Sequence, residues 1–329
     1  MTKNPYHVLQ VDPRANDKVI HAAYRALALQ LGEGNPGLAD LNTAYASLKN
    51  AAEREKVDAR LRQPDGKAIL GNYRLLKKIA VGGTGTTYIA EHQLLGEKVC
   101  IKHALKPDPL YEDIIREEAR ALWNLAHHGI PAMKDVLRLD DGSMAIIMSY
   151  IPGLNLQQLV EKEGPRDPEE LSRMVGRLLN VFGYLYDNKV VHGDVKPANI
   201  IPDLDNNRVT LVDFGFSLVK PAVDTPVKGY EDWFSSPEQK AFEPLLPESD
   251  LYSLGLTMIW ALGGNVQARP LKVPKHVPDP LLEFITRLLA RNPLKRPSWK
   301  TENLSNTFSD VRLAAFGRRE SHLTPGNTK

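Results

Sequence analysis

The sequence predicts an α+β protein in three parts: a small all-helical module, a sheet-plus-helix domain, and a larger, mainly helical domain. Three observations carry this. Apolar residues recur at helical spacing before residue 62, short β-rich runs begin at Tyr73, and helical patterning dominates beyond Asn155.

In the first part Val19, Ala22, Ala23, Leu27 and Leu29 fall on one helical stripe, and Leu41, Ala44, Tyr45 and Leu48 on another. Between them Leu31–Gly37 is a cluster of breakers and must be a loop. A charged helical run, Ala51–Leu61, follows, and Gln63–Gly66 opens a linker over residues 63–72. The second part reads as strands at Tyr73–Ile79, Thr87–His92 and Lys98–His103. A helix is expected near Tyr111–Ala126, then strands near Val136–Leu139 and Met144–Tyr150. The third part is helical, with a strand-rich insert around Val190–Val212 and a short proline-rich stretch at Gly263–Pro280. The polar residues from 316 to 329 are expected to form a flexible tail.

Lysine and arginine number 42 against 40 aspartates and glutamates, so no basic field points to nucleic acid or an anionic membrane. The apolar run Leu251–Leu262 is too short to span a bilayer, and no leader opens the chain. The lone cysteine, Cys100, forbids an internal disulfide and fits a reducing, cytoplasmic setting.

Chemistry concentrates in a few segments. Ile79-Ala80-Val81-Gly82-Gly83-Thr84-Gly85-Thr86-Thr87 places glycines between two strands, where backbone can approach a polyphosphate without an intervening Cβ; alone it also fits an ordinary hairpin. Lys102 ends a strand and Glu118 sits in the next helix, a pairing equally open to a solvated surface reading. The segments His192-Gly193-Asp194-Val195-Lys196-Pro197-Ala198-Asn199 and Val212-Asp213-Phe214-Gly215 sharpen the picture. Ser236-Pro237-Glu238, Ser249–Gly255 and Arg296-Pro297 follow in order.

Together these segments resemble the eukaryotic-type protein kinase family, from about Tyr73 to Phe308. The resemblance implies a bilobal kinase fold: a β-rich N-lobe over 73–148, a hinge over 149–153 and a helical C-lobe over 154–315. It also implies ATP and Mg²⁺ as cofactors and a protein substrate carrying Ser or Thr hydroxyls. Lys102 would contact phosphates, held by Glu118; Asn199 and Asp213 would bind Mg²⁺; Asp194 would be the general base and Lys196 would stabilise the transferring phosphoryl group. Ile79, Ala80, Val81, Gly82, Gly83, Gly85, Thr87, Cys100, Met148, Tyr150 and Ile201 would surround the nucleotide. Ser149 and Tyr150 would offer backbone groups to the adenine.

Departures from the family pattern are informative. Ala80 stands for the first loop glycine and Thr87 for a valine. Gly193 replaces the arginine that precedes the catalytic aspartate, and the Gly-Thr before Pro-Glu is absent. Without that arginine a phosphate on Ser217 or Thr225 gains no partner from the catalytic loop, so the loop should be held by its own side chains, with Glu231 expected to meet Lys196.

Residues 1–62 resemble a J-domain in Asn4–Val11, Ala23–Leu29 and Leu41–Leu48, but the His-Pro-Asp tripeptide is missing and the adjacent helix is nearly bare of basic residues. This implies a helical docking or packing module rather than a co-chaperone. Two rival readings of the whole chain remain. One is a nucleotide-binding pseudokinase scaffold that docks a partner through residues 1–62. The other is a J-type co-chaperone with an appended regulatory kinase.

Overall fold

The computed structural model describes residues 5–11, 15–32, 35–50, 53–54, 57, 69–82, 85–105, 108–139, 142–268 and 270–319. The chain divides into two compact units, Met1–Ala80 with Tyr88–Glu97, and Val81–Thr87 with Lys98–Lys329.

The first unit holds the N-terminal helices α1 (Pro5–Val8), α2 (Asp17–Leu31) and α3 (Gly37–Leu48). Asn16 caps α2 by accepting from the Val19 N–H, and Gly32 ends it with φ +76°, a left-handed value a glycine adopts without strain. The helices meet on a face shifted from the expected one: Ile20 of α2 packs with Leu41, Ala44 and Leu48 of α3 and with Tyr6 and Leu9, all buried, while Val19 and Leu29 of the expected stripe are exposed. Tyr24 stacks on Tyr45 at 4.2 Å, and its hydroxyl donates to Asn42 Oδ1 at 2.8 Å. The helix expected over Ala51–Leu61 lies largely outside the described residues, as does most of the 63–72 linker. Strands β1 (Ile69–Leu70), β2 (Tyr73–Val81) and β3 (Gly85–His92) follow, neighbours in that order, with β1 and β2 antiparallel through Leu70 and Tyr73.

In the second unit β4 (Lys98–Ala104), β6 (Met144–Ser149) and β5 (Met133–Arg138) are adjacent in that order. β6 is buried on both faces, as its unbroken apolar run requires of a central strand. Helix α4 (Pro109–Trp123) starts two residues earlier than the periodicity places it. Asp108 accepts from the Leu110 N–H, and Pro109 preorganises the first turn. The helices α5 (Leu156–Glu163), α6 (Pro168–Asp187), α7 (Pro237–Lys240), α8 (Pro247–Ala261), α9 (Asp279–Leu288) and α10 (Leu304–Phe316) make up the rest, with short strands β7 (Val190–Val191), β8 (Ile200–Asp203), β9 (Arg208–Leu211) and β10 (Leu218–Val219) between α6 and α7. Among the described residues no helix lies between Ala261 and Asp279; an isolated bridge joins Asn265 to Lys272 there.

One apolar core runs through this unit, from Ile115 on α4 and Ile146 on β6 to Leu178 on α6, Leu254 on α8 and Phe308 on α10. β4, α4, β5 and β6 share this core with the later helices. Gly317 closes α10 at φ +72°, Arg318 pairs with Glu169 at 2.5 Å, and the Arg319 carbonyl accepts from Arg312 at 2.8 Å; residues 320–329 lie outside the described residues. Among the described residues no helix is long and apolar enough to cross a membrane.

Candidate active site

β4 carries Lys102 inward, where its Nζ lies 2.7 Å from Glu118 Oε2 on α4 and 2.7 Å from Asp213 Oδ1. Lys102 and Glu118 are buried, whereas the Asp213 side chain is 45% exposed. Burial works against the Lys102 charge, but the two carboxylates outweigh it and hold the ammonium above its usual range. Burial likewise opposes ionisation of Asp213, yet Lys102 keeps that carboxyl low; Glu118, wholly enclosed, is pushed up by burial with Lys102 opposing. Asp213 adopts φ +65°, and its Oδ1 also accepts from the Gly215 N–H at 3.3 Å. A Cβ on Gly215 would stand 3.1 Å from Lys102 Nζ, so a side chain there would crowd the cluster.

The segment after β7 is pinned from below. Asp250, buried in α8, accepts from the His192 N–H at 2.7 Å and from the Gly193 N–H at 2.8 Å. Burial pushes its carboxyl up to about 7 while those donors pull it down; with both oxygens accepting, the ionised form is the one that grips the loop. His192, fully buried and edge-on to Phe214 at 4.7 Å, accepts from the Asp194 N–H on Nδ1 at 3.2 Å. Burial lowers its pKa to about 4, so the ring is neutral, as an accepting nitrogen requires.

Asp194 is buried and held by two groups: Asn199 Nδ2 donates to its Oδ2 at 2.8 Å and to its carbonyl at 2.9 Å, and Lys196 Nζ lies 3.0 Å from Oδ2. Burial raises its carboxyl to about 6, with Lys196 and Asn199 opposing. Five of the expected polar residues thus form two tight groups, Lys102–Glu118–Asp213 and Asp194–Asn199, and Lys196 joins the second.

The remaining expected residues are placed as follows. Ile79 and Ala80 end β2 in the first unit and are exposed. In the second unit Val81 is exposed, the Gly82 N–H donates to the Gly85 carbonyl at 2.9 Å, and Thr87 is half-buried on β3; Gly83 lies outside the described residues. Gly85 has a structural reason to be glycine: a Cβ there would meet the His103 carbonyl oxygen at 2.6 Å. Cys100 sits opposite Met148 in the β4–β6 register, and burial pushes its thiol up to about 12, so it is an inert filler. Tyr150 follows β6 and is half-buried. Ile201 on β8 comes within 3.6 Å of where a Cβ on Gly153 would stand. The Ser149 N–H is already engaged, donating to the Ala132 carbonyl at 2.9 Å, and its hydroxyl accepts from the Ala132 N–H at 2.9 Å. That amide is therefore not available to a base.

The stretch from Asp213 to Gln239 corrects one expectation and adds three contacts. Glu231 does not meet Lys196. Its carboxylate caps the N–H groups of Trp233 and Phe234 at 3.0 Å each, two and three residues away, where little chain must be ordered to reach it. Ser217 is 1% exposed and donates to the His192 carbonyl, so its hydroxyl is closed to modification. Lys228, which counts for little in the sequence, donates to the Ser217 carbonyl at 2.7 Å and pairs with Glu117 on α4 at 3.0 Å. Gln239 carries no signal in the sequence, yet it is buried with its amide donating to the carbonyls of Gly193 at 2.7 Å and Gly229 at 2.9 Å.

Behind this segment Arg296 makes a two-pronged contact with Glu238, at 2.6 and 2.8 Å. Its other donor contacts reach the carbonyls of Glu248, Ala290 and Arg291.

A β-sheet carrying a buried lysine–glutamate pair, joined to a helical bundle that fixes an aspartate loop, is the architecture of the kinase class. The chain belongs to the protein kinase domain family, whose pattern matches residues 73–308. It is 28% identical over 229 residues to serine/threonine-protein kinase B of Synechocystis, covering 63% of this chain and 38% of that protein. To serine/threonine-protein kinase PrkC of Bacillus subtilis it is 29% identical over 208 residues, covering 61% and 32%. To serine/threonine-protein kinase pkn3 of Myxococcus xanthus it is 27% identical over 277 residues, covering 72% and 50%. The chain thus spans half or less of the length of these relatives.

Proposed function

We propose that the chain is an ATP- and Mg²⁺-dependent protein kinase that phosphorylates Ser or Thr hydroxyls of a protein substrate. The observation that carries this is the assembled pair of clusters, Lys102–Glu118–Asp213 and Asp194–Asn199–Lys196, in a chain of this family. Similarity to three serine/threonine-protein kinases supports the substrate class.

In this reading Asp194 takes the proton of the attacking hydroxyl. The hydroxyl oxygen bonds to the γ-phosphorus as the bond to the β–γ bridging oxygen breaks, and ADP leaves. Lys196, one hydrogen bond from Asp194, faces the same hydroxyl and offsets charge on the phosphoryl group. Lys102, kept cationic by its two carboxylates, contacts the α- and β-phosphates.

The residues fit a hard divalent ion. Both Asn199 amide hydrogens go to Asp194, which leaves Asn199 Oδ1 as an oxygen donor, and the exposed Asp213 carboxylate supplies another. Mg²⁺ would take these two oxygens and complete its shell with phosphate oxygens and water. When bound, the ion neutralises charge on the polyphosphate.

The test is transfer of labelled phosphate to the protein itself or to a generic acceptor. Lys102→Ala and Asp194→Asn should each lower it by about a thousandfold or more while ATP still binds the Asp194 variant. Wild-type protein that binds ATP without any transfer would make the chain a nucleotide-binding scaffold.

The N-terminal helices pack around their own core, and the sequence lacks His-Pro-Asp, which supports a role in docking a protein partner. On this reading the full chain leaves a chaperone ATPase at its basal rate, and stimulation would reinstate the co-chaperone reading. The single cysteine and balanced charge fit a cytoplasmic protein that binds neither nucleic acid nor membrane.

A further inference from the structure

The peptide unit between Gly193 and Asp194 sets where the proposed base points, and it is gripped on both edges. Its N–H donates to His192 Nδ1 at 3.2 Å, and its carbonyl accepts from Gln239 Nε2 at 2.7 Å. A rotation of that plane would break both contacts at once. The upstream N–H groups of His192 and Gly193 are already fixed by Asp250, so the Gly193 carbonyl is the remaining handle.

Gln239 is itself held rigidly. It is 2% exposed, its N–H donates to Ser236 Oγ, and the residue before it, Glu238, is locked by Arg296. Its second amide hydrogen goes to the Gly229 carbonyl at 2.9 Å, so one neutral side chain ties the catalytic loop to the segment 36 residues further on. The three backbones pack closely: a Cβ on Gly193 would stand 2.8 Å from the Phe216 carbonyl oxygen, and one on Gly229 would stand 3.2 Å from the Phe216 ring. No cation takes part in the Gly193–Gln239–Gly229 link, so it needs no phosphate to complete it.

We propose that Gln239 is a positioning residue for Asp194, orienting the Gly193–Asp194 peptide and fastening it to Gly229 without a phosphate on the intervening segment. This rests on the kinase reading above.

The test compares Gln239→Met, which keeps shape but loses both donors, with Gln239→Glu, which sets an acceptor against two carbonyls. kcat for phosphate transfer should fall about tenfold in the first and about a hundredfold in the second, with KM for ATP unchanged within twofold. Hydrogen exchange at the Asp194 amide should quicken in both, and phosphatase-treated wild type should keep its kcat. A role in folding alone would lower the melting temperature and leave kcat per folded molecule intact, and that result would overturn the proposal. So would equal effects of the two variants, or loss of activity on phosphatase treatment. A wild type that transfers no phosphate, yet shows faster Asp194 exchange in the variants, would sink the kinase reading and leave the positioning role standing.

Discussion

On the proposed kinase reading, two opposed effects at Asp194 set the working pH. Burial raises the carboxyl from its ordinary value to about 6, while the charge of Lys196 pulls it down. A general base acts when ionised, so it is ready above pH 6. Below that, its protonated fraction grows and kcat/KM should fall about tenfold per pH unit. Removing the lysine charge removes the lowering influence, so Lys196→Met should move the acid limb to higher pH, besides cutting the rate. A limb that stayed put or moved lower in the variant's pH–rate profile would separate Lys196 from the base. Gly193 shows a second constraint at this scale. Its φ of +75° and the nearby Phe216 carbonyl exclude a side chain on backbone grounds, quite apart from any missing charge.

At the scale of elements, the segment between β9 and α7 is held to α4 by charges of a particular order. Lys228 on the segment meets Glu117 on the helix, next to Glu118 of the buried pair. The helix that carries Glu118 and the segment between β9 and α7 are thereby coupled without an added phosphate. Glu117 is half-exposed, so solvent limits the pair: Glu117→Gln and Lys228→Met should each lower activity by about two- to fivefold. Because they share one contact, the double variant should lose less than the product of the two losses. Strictly multiplicative losses in a double-mutant cycle would mean that Lys228 acts only through the Ser217 carbonyl.

At the scale of the whole second unit, one buried ion pair joins the loop before α10 to α7 and α8. The Arg296–Glu238 pair fixes α7 and, through it, Gln239. Removing one member leaves the other charged and enclosed, which costs about 3–5 kcal/mol, whereas an apolar replacement of both is often neutral. Arg296→Met should therefore lower the thermal midpoint markedly by circular dichroism, and Arg296→Met/Glu238→Leu should recover part of the loss. A double variant less stable than the single one would show that the pair, and not the stranded charge, supplies the stability.

What the sequence determined by itself is local. Helical periodicity, the break after Leu31, the strand at Lys98 and the glycine between β2 and β3 follow from side-chain period and turn chemistry, which act within a few residues. The polar residues Lys102, Glu118, Asp194, Lys196, Asn199 and Asp213 were legible too, because their order along the chain resembles a family. What only the tertiary structure decided is who bonds to whom across distance: Lys102 with Asp213, His192 with Asp250, Gln239 with Gly193, Arg296 with Glu238. A glutamine or glutamate looks the same in sequence whether it faces water or a buried carbonyl. Gln239 became a clasp because burying a polar backbone requires a donor or acceptor wherever packing leaves one unmet. That need arises only once distant elements have come together, so no local pattern could have announced it.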